Sequence, residues 1–323
     1  MISPRLLRSA KVEIFSSDDD YFCVHGEGAG EQGVYMAQDQ VQGLFEAPVR
    51  TAWVSSAHQT GGTMKGMWFD VRDLSLGFHV MDHHIERGMF AEIESKFRQA
   101  FEYREDQWDW DSRLTRIDYT TEYSGTRSLD VQLYQAADFN PGVDPNIIGY
   151  GNPIIPLRAG NPMYYQPDVV TKWETSGASG SGTITVSNPT DQPMLHKWIL
   201  TRGSWTLPDV SWSGRKGKRV PGIDKRSGRD DRNRKILMPT IGTLEGGATV
   251  DLDKRRIQVR DAHDTNLLGR MPVPGQRFMH VIPPHTPPTE LPVSVTGAPA
   301  GGAMVKLVQP RTWSRPQGGE LAA

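Results

Sequence analysis

The chain carries a single cysteine, Cys23, in 323 residues. An internal disulfide is therefore excluded, and so is a cysteine-rich zinc site. Long hydrophobic runs are missing as well. No uninterrupted apolar stretch approaches 18 residues, so no helical membrane span is expected. The opening residues, MISPRLLRSAKVEIF, contain no apolar signal core, and synthesis in a cytoplasm is the reading that follows. Charge of one sign is lacking too: the formal net charge is -2, which gives no global pull towards nucleic acid or anionic membranes. Catalytic signatures are absent in the same way, with neither an HExxH helix nor a GxSxG elbow. The glycines at 26, 28, 30 and 33 do not make a dinucleotide loop. The pattern is not bounded by a buried strand and a following helix together, so they read as a turn.

What is abundant points to β structure. Counts of 33 glycines, 23 prolines and 9 tryptophans suit a loop-rich, mainly β chain, and the length favours two domains over one core. One long segment has a helical period, from Glu86 to Arg104. Met89, Phe90, Ile93, Phe97, Ala100 and Phe101 recur three and four residues apart and form one stripe. Its surroundings read as short strands, so the stripe is expected to pack on a sheet in an α+β domain over 1–136. Strands are expected at Lys11–Phe15, Tyr21–Val24, Gly33–Ala37 and Leu74–Val80, with a hairpin over Leu114–Tyr134. Residues 137–163 hold five prolines and read as a connector. A second domain of two packed antiparallel sheets is expected over 164–313, including strands at Phe278–Ile282 and Met304–Val308, with a disordered tail at 314–323. Within it, residues 215–235 carry ten Lys or Arg and three Asp with almost no apolar residue, so they read as a flexible basic loop.

Several clusters carry potential chemistry. His79, His83 and His84 with Asp82 hold metal-ligand types, but their spacing suits polar loop residues better. Asp18, Asp19 and Asp20 lack the glycine and distal glutamate of a calcium loop and read as a turn. Asp109 and Asp111 flank Trp110 as an acid pair would, and turn or cap roles fit them better. Cys23 and His25 would share a strand face, which alone does not make a thiolate pair. No catalytic residue, metal or cofactor is expected. Arg215, Lys216, Lys218, Arg219, Lys225 and Arg226 form the candidate contact for an acidic neighbour, with DNA phosphates the weaker alternative. Trp173, Trp205 and Trp212 are the candidate platform if the second domain instead grips a host glycan.

Three stretches in order carry a resemblance. They are GVYMAQDQVQGLFEAPVRTAWVSSAHQTGGTMKG with RDLSLGFHV, then SGTRSLDVQLYQAADFNPGVDP, then KWILTRGSWTLPDVSW continuing through GGATVDLDKRRIQVRDAHDTNLLGRMPVPGQRF. Together, over about 30–310, they resemble the minor tail proteins of actinobacterial, mycobacteriophage-like long-tailed phages, which correspond to the siphophage distal tail protein. The resemblance implies a mainly β protein. Its N-terminal β-sandwich or split-barrel-like domain, with one α-helix, builds a ring, and its galectin-like antiparallel β-sandwich faces outwards. It further implies a six-fold or three-fold homo-oligomer at the distal tip of the virion tail, with the tail tube protein, the tail hub and receptor-binding proteins as partners. It carries no catalytic motif. The basic stretch at 215–235 stands outside the family pattern.

Overall fold

The computed structural model describes residues 9–82 and 88–321. The chain divides into two compact units. The first comprises residues 1–165 with 313–318, and the second comprises 166–312 with 319–323.

In the first unit, antiparallel strands follow one another in the order Tyr21–His25, Lys11–Phe15, Thr115–Thr121, Gly125–Leu133, Ile154–Ala159, Arg72–Met81 and Val34–Gln42. One face of this sheet is apolar because the strands alternate. Leu74, Leu76, Phe78 and Val80 are buried along one strand, and Ile117, Leu129, Val131, Ile155 and Leu157 along others. The helix Phe90–Gln99 lies on that face. Phe97 is its anchor. Its ring meets Phe22 at 5.1 Å and Phe78 at 4.8 Å, both edge to face, so one side chain ties an outer strand to an inner one. The stripe read from the sequence is buried as expected.

The helix is shorter than the period suggests. Glu86 and Arg87 lie outside the described residues, and the helix stops at Gln99 although Ala100 and Phe101 remain buried. The sheet takes over the backbone there. The Thr115 hydroxyl donates to the Ala100 carbonyl, and the Leu133 N–H donates to the Glu102 carbonyl. The glycine-rich stretch is a turn into the strand Val34–Gln42. Gly30 has φ +83 and packs against the Tyr35 ring, where a Cβ would overlap the ring carbons.

Two features depart from the reading of the sequence. Residues 137–163 are not a bare connector. Ile154–Ala159 is a sheet strand paired from Ile154↔Gly77 to Ala159↔Arg72, and Pro156 sits within it. Residues 314–318 are not loose either. Arg127, fully buried, donates to the carbonyls of Arg315 and Gly318 and stacks 3.7 Å over the Trp313 ring. The Gly318 N–H donates to the Ser124 hydroxyl.

The second unit is an antiparallel β-sandwich. One sheet orders its strands from Val259–Asp261 through Ala248–Asp251, Lys197–Leu200 and Ala303–Trp313 to Tyr164–Thr175. The other orders Gly180–Asn188, Thr286–Thr296, Ser204–Pro208 and Lys235–Leu237. Inward residues of both sheets meet in one core: Trp198, Val250, Val305 and Leu307 from the first, and Val186, Trp205, Leu207 and Val293 from the second. Phe278–Ile282 is not a strand; only Ile282 forms an isolated bridge, to Met194. The strand Thr286–Thr296 stands in its place. Its prolines 287, 288 and 292 fall where it is paired on one side only, since the second partner joins from Ser294 onwards.

His196 is buried in this core, with its ring edge to face with Trp198 at 5.9 Å. Burial pushes its pKa down to about 4. Unfolding restores a value near 6.5, so the unfolded chain binds more protons between those limits. Stability contributed by neutral His196 is complete above pH 6.5 and is lost as pH falls towards 4. Denaturant titrations at stepped pH should show wild type losing on the order of 3 kcal/mol more than His196→Gln across this window. Parallel pH curves for the two proteins would refute the assignment.

Candidate assembly surface

One exposed apolar structure of the first unit is a hairpin. Val49–Val54 pairs antiparallel with Thr63–Phe69 in a two-stranded sheet of its own. The pairing runs Val49↔Phe69, Thr51↔Met67 and, after an irregularity at Ala52/Trp53, Trp53↔Met64. Directly paired residues share a face, so one face carries Val49, Trp53, Met64, Met67 and Phe69. That face is not covered: Trp53 is 60% exposed, Val49 54% and Met67 52%. A two-stranded hairpin alone is marginal in water. This one is held at both ends. At its tip the Ser55 hydroxyl donates to the Gly61 carbonyl and the Gln59 amide donates to Thr63. At its root Arg50 pairs with Asp70 at 2.9 Å.

Arg72 fixes the root from beneath. It is 1% exposed and donates to the carbonyls of Leu44 at 3.0 Å and Ser314 at 2.7 Å. The Tyr164 ring lies against its guanidinium at 4.9 Å, and the Tyr164 hydroxyl donates to the same Leu44 carbonyl. Burial holds the guanidinium below its usual pKa. Arg72, on the segment leaving the hairpin, is thus bound to Leu44 on the segment entering it and to Ser314 near the C-terminus. The sequence does not declare this exposure, because alternation does not tell a covered face from an uncovered one.

The basic stretch 215–235 is an ordered excursion, which corrects the expectation of a flexible loop. Trp212–Ser213 pairs with Val220–Pro221, and the Gly217 N–H donates to the His285 carbonyl. Asp224 caps a turn by accepting from the Arg226 N–H and the Ser227 hydroxyl. Its far end is clamped by Asp209, whose buried carboxylate accepts from Arg234 at 2.7 Å and from the N–H groups of Met279 and His280. Burial raises the Asp209 pKa. His280 meets Asp231 at 2.9 Å. Arg215, Lys216, Lys218, Lys225 and Arg226 are exposed and Arg219 is half-buried. None of the six has a carboxylate within ion-pair distance among the described residues.

The other candidate clusters do not form sites. Trp205 is 1% exposed and Trp212 8%, so neither can be a glycan platform. Trp173 is half-buried, with its ring edge to face with Trp205 at 6.1 Å. His79 bonds the Tyr150 hydroxyl at 2.8 Å, and Asp82 is buried and accepts from the Gly88 N–H. His83 and His84 lie outside the described residues. Among the described residues no three His, Cys, Asp or Glu side chains gather as metal ligands would. Asp20 pairs with Lys96, while Ser16 accepts from the N–H groups of Asp18 and Asp20 in a turn. The Cys23 thiol is buried and donates to the Glu27 carbonyl at 3.2 Å, and burial pushes its pKa up. His25 is exposed.

Two known proteins are similar to this chain over most of its length. The chain is 25% identical to "Minor tail protein Gp27" of Mycobacterium phage D29 over 322 residues, covering 88% of this chain and 92% of the relative. The protein of the same name from Mycobacterium phage L5 matches at the same identity and coverage. The chain is a homologue of mycobacteriophage minor tail proteins. Its fold is similar to that of the Dit (gp 19.1) protein of phage SPP1, which superposes with a TM-score of 0.51 at 11% identity, over 94% of this chain and 99% of that one. Dit is described as a paradigm of the hub adsorption apparatus in phages infecting Gram-positive hosts. No family model matches the chain.

Proposed function

We propose that this chain is a structural virion protein of a long-tailed phage, a distal tail protein that closes into a homo-oligomeric ring at the tail tip. The ring joins the tail tube above to the tail hub below and offers positions for receptor-binding proteins. The chain has no enzymatic role in this reading. Tail-protein homology over most of the chain and the tail-hub fold support it. The observation that carries it is the hairpin 49–69. A rooted two-stranded arm with an uncovered Trp, Met and Val face is costly on a lone chain and suited to a neighbour that covers it. The six cations at 215–226 serve, in the same reading, to meet an acidic neighbouring subunit or tail partner.

Light scattering with negative-stain imaging of the purified full chain tests this. A closed six-fold or three-fold ring with a central hole is expected, and the same sample at raised salt should show weaker packing of rings against acidic partners. A chain that stays monomeric at all concentrations, and also fails to assemble when presented with tail tubes, would sink the proposal.

A further inference from the structure

A second exposed element lies in the first unit, in the loop between the helix and the strand Thr115–Thr121. Trp108 is 83% exposed and Trp110 is 95% exposed. Two bare indoles one residue apart are rare on a surface, and the loop does not leave them free to fold back. Asp106 accepts from the Trp108 N–H at 2.9 Å, Asp109 accepts from the Asp111 N–H at 3.0 Å, and the Asp106 N–H donates to the Ser112 hydroxyl at 2.7 Å. The segment also carries Glu102 and Glu105, and although Arg104 lies between them and Arg113 pairs with Asp111 at 3.2 Å, its acids outnumber its cations and the aromatic tips sit inside a net acidic rim.

The second unit holds the complementary surface. An open groove of about 770 Å³ is rimmed by Arg229, Lys254, Arg256 and Arg277 and floored by Ile257 and Met279, while the two carboxylates in its wall, Asp251 and Asp253, are paired with Lys197 and Arg255. Ile257 is 44% exposed and Met279 43%. The four cations have no carboxylate within ion-pair distance among the described residues, and the Arg229 guanidinium rests on the Met279 sulfur at 3.6 Å. A volume of this size admits aromatic side chains. Guanidinium and ammonium groups bind indole faces, thioethers pack against ring edges, and cations on the rim attract the acids flanking the two tryptophans.

We propose that the tryptophan loop of one copy seats in the basic groove of a second copy. The match is between two different patches, which makes the contact heterologous, the type that closes rings. It rests on the ring reading above and adds to it the contact that sets the order of one copy after the next. Charge complementarity selects a second copy as the occupant: the loop is acidic, and this groove is a cationic, partly apolar receptor carried by the same chain.

The test uses the full chain. Trp110→Cys and Met279→Cys are made in separate proteins, with Cys23 left in place because it is buried. Mixed, they should give a covalent pair with a short bis-maleimide, and neither should pair alone. Trp108→Ser/Trp110→Ser alters exposed positions only, so its melting should match wild type while association weakens about a hundredfold. Glu105→Lys/Asp111→Lys should weaken association in the same direction, and Arg256→Glu/Arg277→Glu in the same chain should restore it. Rings that form without the mixed cross-link, or with undiminished strength in the double serine variant, overturn this contact, assign the loop to another partner and leave the ring reading standing. A wild-type chain that never associates and never cross-links overturns both.

Discussion

Trp53→Ser with Met67→Ser should turn rings into monomers without loosening the fold. Both residues project from the uncovered face of the hairpin, and each is more than half exposed. Exposed positions of this kind usually change stability by less than about 0.5 kcal/mol. In a covered interface the same side chains become anchors, because tryptophan and methionine supply large contact area and fill uneven gaps. Two such anchors together are worth a loss of about a thousandfold in association. The pair therefore separates folding from assembly. Its melting curve should overlay that of wild type, and light scattering should report the mass of one chain at concentrations where wild type forms rings. Rings that persist at the same concentration would refute the hairpin as the closing contact. Arg50, paired with Asp70 near the root, is the internal control. Arg50→Ala removes a surface ion pair worth under about 1 kcal/mol and should leave rings intact.

The elements that could be read from the sequence are those whose pattern is local. The helical stripe on Phe90, Ile93 and Phe97 and the alternation from Leu74 to Val80 each declare a buried face within a few residues, and both are buried as read. The elements that escaped depend on distant partners or on exceptions to local rules. Pro156 made Ile154–Ala159 look like linker, yet the strand is set by its pairing to Arg72–Met81, some eighty residues earlier. Thr286–Thr296 was hidden by three prolines that a one-sided stretch of strand tolerates. The basic excursion looked unfolded by composition. It is ordered because Asp209, Asp224 and Asp231 spend their acceptors on its backbone and on neighbouring side chains. The hairpin face was invisible for the opposite reason: its Val, Trp and Met look like core, and only the fold shows that among the described residues of the unit none covers them.

Arg72 is the residue where fold and assembly meet, and replacing it should damage both. Arg72→Ala should destabilise the first unit by about 3 kcal/mol. Two charge-assisted bonds to carbonyls are lost, and a fully buried long side chain leaves a cavity. An opposing effect limits the loss. A guanidinium that is 1% exposed has been stripped of water, and removing it relieves that penalty. The Leu44 and Ser314 carbonyls also keep one partner each, the Tyr164 hydroxyl and the Ala47 N–H. Arg72→Met separates these effects, since it keeps most of the volume and neither bond. If bonding outweighs desolvation, Arg72→Met should lie between wild type and Arg72→Ala in urea titrations. If it proves as stable as wild type, the guanidinium contributes nothing net to folding. The second readout is the hairpin itself. Without a donor joining Leu44 to Ser314, the root should open, and limited proteolysis near the exposed tip at 55–62 should quicken in Arg72→Met before any global unfolding. Unchanged cleavage would mean that the Arg50–Asp70 pair and the Asp70 N–H bond to the Pro48 carbonyl hold the arm by themselves.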